Sequence, residues 1–166
     1  MIAILHADKE WGIGKRNDLM FSLPLDMKFF RETTMGKVVC MGYNTLLSLP
    51  NSKPLKNRTN IVLCEAGVSI EGCICVHSID ELLIESKKYP ADDFFIIGGA
   101  SVYKTMLPYC DKVMLTKVNA IGGAEVFFPN LDAHPNFELI SSTEPVIDNG
   151  VEICFTVYKN NSIKQF

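Results

Sequence analysis

Short, continuous runs of apolar and β-branched residues alternate along the chain with segments whose apolar positions recur at helical spacing. Strand-like runs fall at 1–7, 37–41, 60–64, 73–76, 94–97, 112–118, 137–142 and 151–158, and helical spacing predicts helices over 25–33, 44–49, 79–87 and 100–107. The first five strand runs are uniformly apolar, as a parallel sheet covered by helices on both faces requires. After the last helix the strands follow one another with loops alone, and Val151 to Tyr158 alternates in part, so the C-terminal edge is predicted to be antiparallel. The pattern gives an α/β fold built on a mixed, mostly parallel sheet, with ligands expected beyond the carboxyl ends of its strands.

Composition narrows the partners. At 166 residues and 48% hydrophobic, the chain is one domain able to bury a full core. With 16 Lys plus Arg against 19 Asp plus Glu, the net charge is −3, and no basic face is left to follow a nucleic-acid backbone. No apolar run approaches the roughly 20 residues of a membrane span, and the first residues lack a signal-peptide pattern, so no membrane association and a cytoplasmic location are expected. Cys40, Cys64, Cys73, Cys75, Cys110 and Cys154 form no CxxC and have no His at zinc-ligand spacing. They read as small buried residues, and no metal site is expected.

Four segments ask for chemistry. Residues 11–21 lack any period yet hold Trp11, Ile13, Leu19, Met20 and Phe21, the composition of a mobile lid or of a packed surface loop. Next, Ser22 and Pro24 mark a helix start, and an acid at Asp26 suits the helix dipole. The positions three and four beyond Asp26 are Phe29 and Phe30, so its own helix offers no cation and the carboxylate calls for a polar ligand or a hydroxyl. Third, the strands ending at Gly42 and at Gly98-Gly99 each run into a helix start. Such glycines make tight turns, or admit a ligand to free N–H groups, where a pair could clasp a pyrophosphate. Finally, no Asp or Glu occurs from Thr33 to Cys64, whereas Lys37, Lys53, Lys56 and Arg58 do, which suggests an acidic group on the ligand.

Taken in order, these residues resemble a known family. Gly12, Ile13 and Gly14 with Asn17, Asp18 and Leu19 come first, followed by Leu23, Pro24, Asp26, Met27, Phe29, Phe30 and Thr34. Met41, Gly42 and Thr45, then Pro54, Leu55, Arg58 and Asn60, then Ile96 to Ala100 with Val102 and Tyr103, and last Phe127-Phe128-Pro129, complete the set. Jointly they resemble dihydrofolate reductase of the bacterial chromosomal type over nearly the whole chain. The resemblance implies an eight-stranded mixed sheet with four helices, a single domain over 1–166 containing an adenosine-binding part at about 37–91, and a monomer. It implies reduction of 7,8-dihydrofolate to 5,6,7,8-tetrahydrofolate by hydride transfer from NADPH, which supplies one-carbon and thymidylate metabolism, and sensitivity to antifolate inhibitors.

Carried over by position, Asp26 is the one carboxylate of the pterin pocket, with the Thr116 hydroxyl behind it, and these two are the catalytic pair. The resemblance gives Ile4 and Ile97 as backbone acceptors for the pterin amine, Phe30 and Leu49 as flanks of the ring system, and Arg58 with Lys53 as holders of the glutamate carboxylate. On the cofactor side it gives Gly12, Ile13, Gly14, Lys15, Asn17, Asp18 and Leu19 as a lid over the nicotinamide. Gly42, Asn44 and Thr45 face Gly98, Gly99, Ala100, Val102 and Tyr103 around the pyrophosphate, and Leu63 leads to the adenosine. Tyr43, Cys64 with Glu65, and Ser101 stand where family members usually carry basic or hydroxyl groups for the 2′-phosphate, so NADH use alongside NADPH is expected. Phe21 replaces a usual tryptophan. His6 stands where a small residue is usual, either as part of the cofactor site or turned into the core. A reductase of the same fold acting on a pyrimidine or another pteridine, and a catalytically silent dinucleotide- or folate-binding module, are the rival readings.

Overall fold

A computed structural model describes residues 1–166. All the strands and helices expected from the pattern form, to within two residues at their ends. β1 (Ile2–Ala7) lies between β6 (Phe94–Gly98) and β7 (Lys112–Val118), parallel to both. β3 (Val38–Gly42), β4 (Thr59–Leu63) and β5 (Ile74–Val76) extend the sheet in parallel beyond β6. On the other side β11 (Val151–Asn160) runs antiparallel to β7, and its outer edge is shared by β9 (Phe137–Ser142) and β10 (Val146–Asp148). Eight strands thus lie side by side in the order β10-β11-β7-β1-β6-β3-β4-β5, with β9 as an added flank. The uniform apolar runs are explained by burial on both faces: Val39, Cys40, Ile61, Val62, Phe94 and Ile96 are at most 1% exposed. No helix is long and apolar enough to cross a membrane.

The 11–21 segment is more ordered than its lack of period suggests. Gly12–Gly14 forms β2, which pairs antiparallel with β8 (Val126–Phe127), a separate two-stranded ribbon. Strands of two or three residues are too short to show a period, and β10 was missed for the same reason. Trp11 packs edge-on against Tyr158 with centroids 6.5 Å apart, and the Lys117 ammonium lies 5.6 Å from its ring.

The start of α1 (Pro24–Thr34) differs from expectation. Ser22 does not cap it; Leu23 occupies the N-cap and contributes no side-chain bond. The cap comes from β10, where the buried Asp148 carboxylate accepts from the N–H groups of Leu25 and Asp26, each at 3.1 Å. Anionic acceptors at a helix start are doubly favoured, by hydrogen bonding and by the dipole. Asp148→Ala orphans both amides and is expected to destabilise the protein by about 2 kcal/mol in urea unfolding. A change under about 0.5 kcal/mol, the size of an ordinary surface substitution, would contradict this account of α1.

Candidate active site

A cavity of about 1590 Å³ runs across the carboxyl ends of the parallel strands, lined by His6 near the end of β1 and by Gly42, Leu63 and Gly98, which close β3, β4 and β6. Strand ends supply fixed positions here, and the helices that follow supply the side walls. All the site residues expected from the sequence line this cavity except Gly12 and Lys53.

Asp26 sits in the first turn of α1, which the Asp148 cap fixes against the sheet. Its Oδ1 accepts from the Thr116 hydroxyl at 2.6 Å, and its Oδ2 lies at hydrogen-bond distance, 3.1 Å, from His6 Nδ1. His6 and Thr116 are directly opposed in the β1–β7 register, so two neighbouring strands hold the two oxygens. The Asp26 side chain is 15% exposed, whereas the other carboxylates of the wall, Asp18, Glu65 and Glu125, are exposed. A carboxylate has about four lone-pair directions, so two remain for a ligand. Two adjacent acceptors of this kind match a planar edge carrying two N–H donors. Nearby, Tyr103 O–H donates to the Ile4 carbonyl at 2.8 Å, and burial pushes the Tyr103 hydroxyl's pKa up.

At the far side of α1 the cavity holds two guanidiniums. Arg58 Nε donates to the Lys56 carbonyl at 2.9 Å and Nη1 to Thr34 Oγ1 at 3.2 Å, which fixes the fork. Burial and the neighbouring Arg31 guanidinium draw the Arg58 pKa down. Neither arginine is among the ion pairs of the protein. Two adjacent unpaired cations call for an anion, and a guanidinium suits a carboxylate bidentately. Arg31 was missed in the sequence; its position one turn and a half beyond Asp26 on the same helix was the available signal. Lys53 is exposed, in extended conformation just after a short 3-10 helix at Pro50–Ser52, and lies outside the wall.

The two glycine junctions meet. A Cβ on Gly98, whose φ is +122°, would stand 3.3 Å from the Tyr103 ring and 3.5 Å from Thr45 Oγ1. One on Gly99 would stand 3.4 Å from the same hydroxyl, and one on Gly42 would be 3.2 Å from Val102. Neither α2 (Tyr43–Ser48) nor α4 (Ala100–Met106) has a side-chain cap, so amides of both first turns remain free beside this cleft. The tip of the 12–20 segment crosses to α2, where Asn17 Nδ2 donates to the Asn44 carbonyl at 3.1 Å. Gly12 is buried beneath that segment rather than on the wall, since a Cβ there would collide with Ala124 and lie 2.9 Å from Asp8 Oδ2. Asp8, which no local pattern singles out, accepts from the N–H groups of Glu10 and Gly12 through Oδ1 and of Gly122 through Oδ2. Trp11 also lies outside the cavity, so the single tryptophan does not report on its contents by contact.

The family model for dihydrofolate reductase matches residues 1–160. Dihydrofolate reductase of Bacillus subtilis is 36% identical over 169 residues, covering 99% of this chain and 98% of that protein. The Haemophilus influenzae enzyme of the same name is 37% identical over 120 residues, 72% of each chain. Among solved structures, dihydrofolate reductase from Enterococcus faecalis complexed with NADP(H) and RAB-propyl superposes with a TM-score of 0.85 at 32% identity, covering 96% of this chain and 95% of that one. A carboxylate clamped between two strands, a paired-arginine end and a glycine cleft are therefore set in a chain that belongs to the dihydrofolate reductase family.

Proposed function

We infer that this cavity reduces 7,8-dihydrofolate to 5,6,7,8-tetrahydrofolate with NADPH, and that Asp26 holds the pterin through its two remaining acceptor directions. The observation that carries the reading is the Asp26 carboxylate itself, the one largely sequestered acid of the wall, bonded to Thr116 and His6 with one side left for a ligand. The pterin N3–H and 2-amino group form the two-donor edge that such a carboxylate accepts. Ile4 and Ile97 lie on the same wall, where their backbone carbonyls are offered to the pterin amine, and Phe30 and Leu49 give the ring apolar flanks. Arg58 and Arg31 meet the glutamate carboxylate at the other end.

The glycine cleft fits a dinucleotide pyrophosphate, because only backbone fits between Thr45, Tyr103 and Val102. When bound, the reduced nicotinamide supplies the hydride that reaches pterin C6. The 12–20 segment shields that point from water, and Asp26 favours protonation at N5 through its hold on the ring and bound water. The 37–91 part supports the adenosine end, where Leu63, Cys64, Glu65 and His77 lie on the wall. Six free thiols suit the cytoplasm.

Loss of nicotinamide absorbance in the presence of dihydrofolate tests the reading, and absence of turnover with NADPH would overturn it. The same assay tests the adenosine end. Glu65 opposes a 2′-phosphate and accepts from a free ribose hydroxyl, while Tyr43 and Ser101 add no cation. The preference for NADPH over NADH in kcat/KM is expected to stay below about a hundredfold, or roughly 2.7 kcal/mol. A larger ratio would show that Glu65 turns away from the cofactor.

A further inference from the structure

We propose that His6 is a positioning residue for the reaction, holding the Asp26 carboxylate in the rotation that presents its two free acceptor directions to the substrate. This rests on the reading of Asp26 as the pterin-binding group. His6 is 7% exposed, yet its side chain makes one polar contact only, Nδ1 to Asp26 Oδ2 at 3.1 Å. The other ring nitrogen, Nε2, is buried and has no partner in the protein. A histidine kept for packing alone normally has both nitrogens satisfied, because a buried polar atom without a partner is costly. Here the one satisfied nitrogen is spent on the site.

The bond also fixes the hydrogen. An ionised carboxylate only accepts, so the proton between the two groups belongs to Nδ1, and His6 is the donor. Phe21 packs edge-on against the imidazole, with centroids 6.2 Å apart, and holds the ring in that orientation. With Thr116 on Oδ1 and His6 on Oδ2, donated from opposed positions of β1 and β7, the carboxylate is gripped at both oxygens by the sheet rather than by its own helix. Without His6 the group is held at one oxygen and is free to turn about its last torsion. A two-donor ligand then has to order it on binding, so the loss falls on substrate affinity and not on the cofactor.

The test compares dissociation constants for dihydrofolate and for NADPH in the wild type, His6→Ala and His6→Asn. An asparagine amide places an N–H close to where the imidazole Nδ1–H stands, and it lacks Nε2. His6→Ala is expected to weaken dihydrofolate about ten- to a hundredfold, the range of a lost bond to a charged group, with NADPH unchanged. His6→Asn is expected to restore binding to within about threefold of wild type, as a retained bond requires. Unaltered dihydrofolate affinity in His6→Ala, an asparagine variant as weak as the alanine one, or a loss confined to NADPH would each overturn the proposal. Nitrogen-15 NMR of the imidazole in the unaltered protein needs no variant: Nδ1 is expected to carry hydrogen and its signal to move when dihydrofolate binds. A bare Nδ1 would overturn it equally. A wild type that turns over no dihydrofolate would instead defeat the reading of the cavity on which this rests.

Discussion

Asp26→Asn lowers kcat/KM for dihydrofolate by about 10²- to 10⁴-fold, roughly 3–5.5 kcal/mol of transition-state stabilisation, with the fold unchanged. The change is isosteric, and the Asp148 cap reaches the backbone N–H of residue 26, so α1 stays in place. The electrostatics do not survive. The amide oxygen keeps the Thr116 hydroxyl, which leaves the amide nitrogen, a donor, where Oδ2 now accepts from His6. One of the two positions facing the pterin edge then offers N–H to N–H, and the negative charge that favours a protonated ring is gone. Steady-state kinetics with saturating NADPH reads the effect. A variant within threefold of wild type would remove Asp26 from the mechanism.

The second large effect lies outside the cavity. Asp8→Ala is expected to destabilise the protein by about 3 kcal/mol, because one buried carboxylate serves three backbone amides and a bond to a charged group contributes about 1.5–3 kcal/mol. Two of those amides, from Glu10 and Gly12, start the segment that continues through β2 to the cavity mouth; the third, from Gly122, belongs to the connection that leads to β8. Asp8 therefore fastens both strands of the small ribbon to the end of β1. A drop in Tm of roughly 6–12 °C follows for a domain this size. Asp8→Asn keeps an acceptor on one side only and is expected to fall between the alanine variant and wild type. Equal stability of all three would show that the amides find water without cost.

What was legible in the sequence follows from range. The sheet strands could be placed because burial on both faces leaves a continuous apolar run, as Val38 to Met41 and Phe94 to Ile97 show. The glycine junctions were legible because strand end, glycine and helix start are adjacent in the chain. Asp26 stood out because its helix neighbours are aromatic, a local contradiction. What could not be read were groups joined only by the fold. Asp148 caps α1 from 122 residues away, and nothing near either residue records it. His6 could be placed near the cofactor or in the core by position alone, but its bond to Asp26 depends on which face of β1 meets α1. Lys53 was placed with Arg58 by the family resemblance, whereas the cation that the fold sets beside Arg58 in the cavity is Arg31.

The central claim is that the Asp26 carboxylate, held by Thr116 and His6, receives the two-donor edge of the pterin. A crystal structure of this chain with folate and oxidised NADPH measures that directly. Both Asp26 oxygens should lie within about 2.7–3.2 Å of the ring's N3 and 2-amino nitrogens, with the Thr116 and His6 bonds retained. A pterin bound with its amine edge away from Asp26, or an Asp26 carboxylate turned from Thr116 to reach it, would contradict the account.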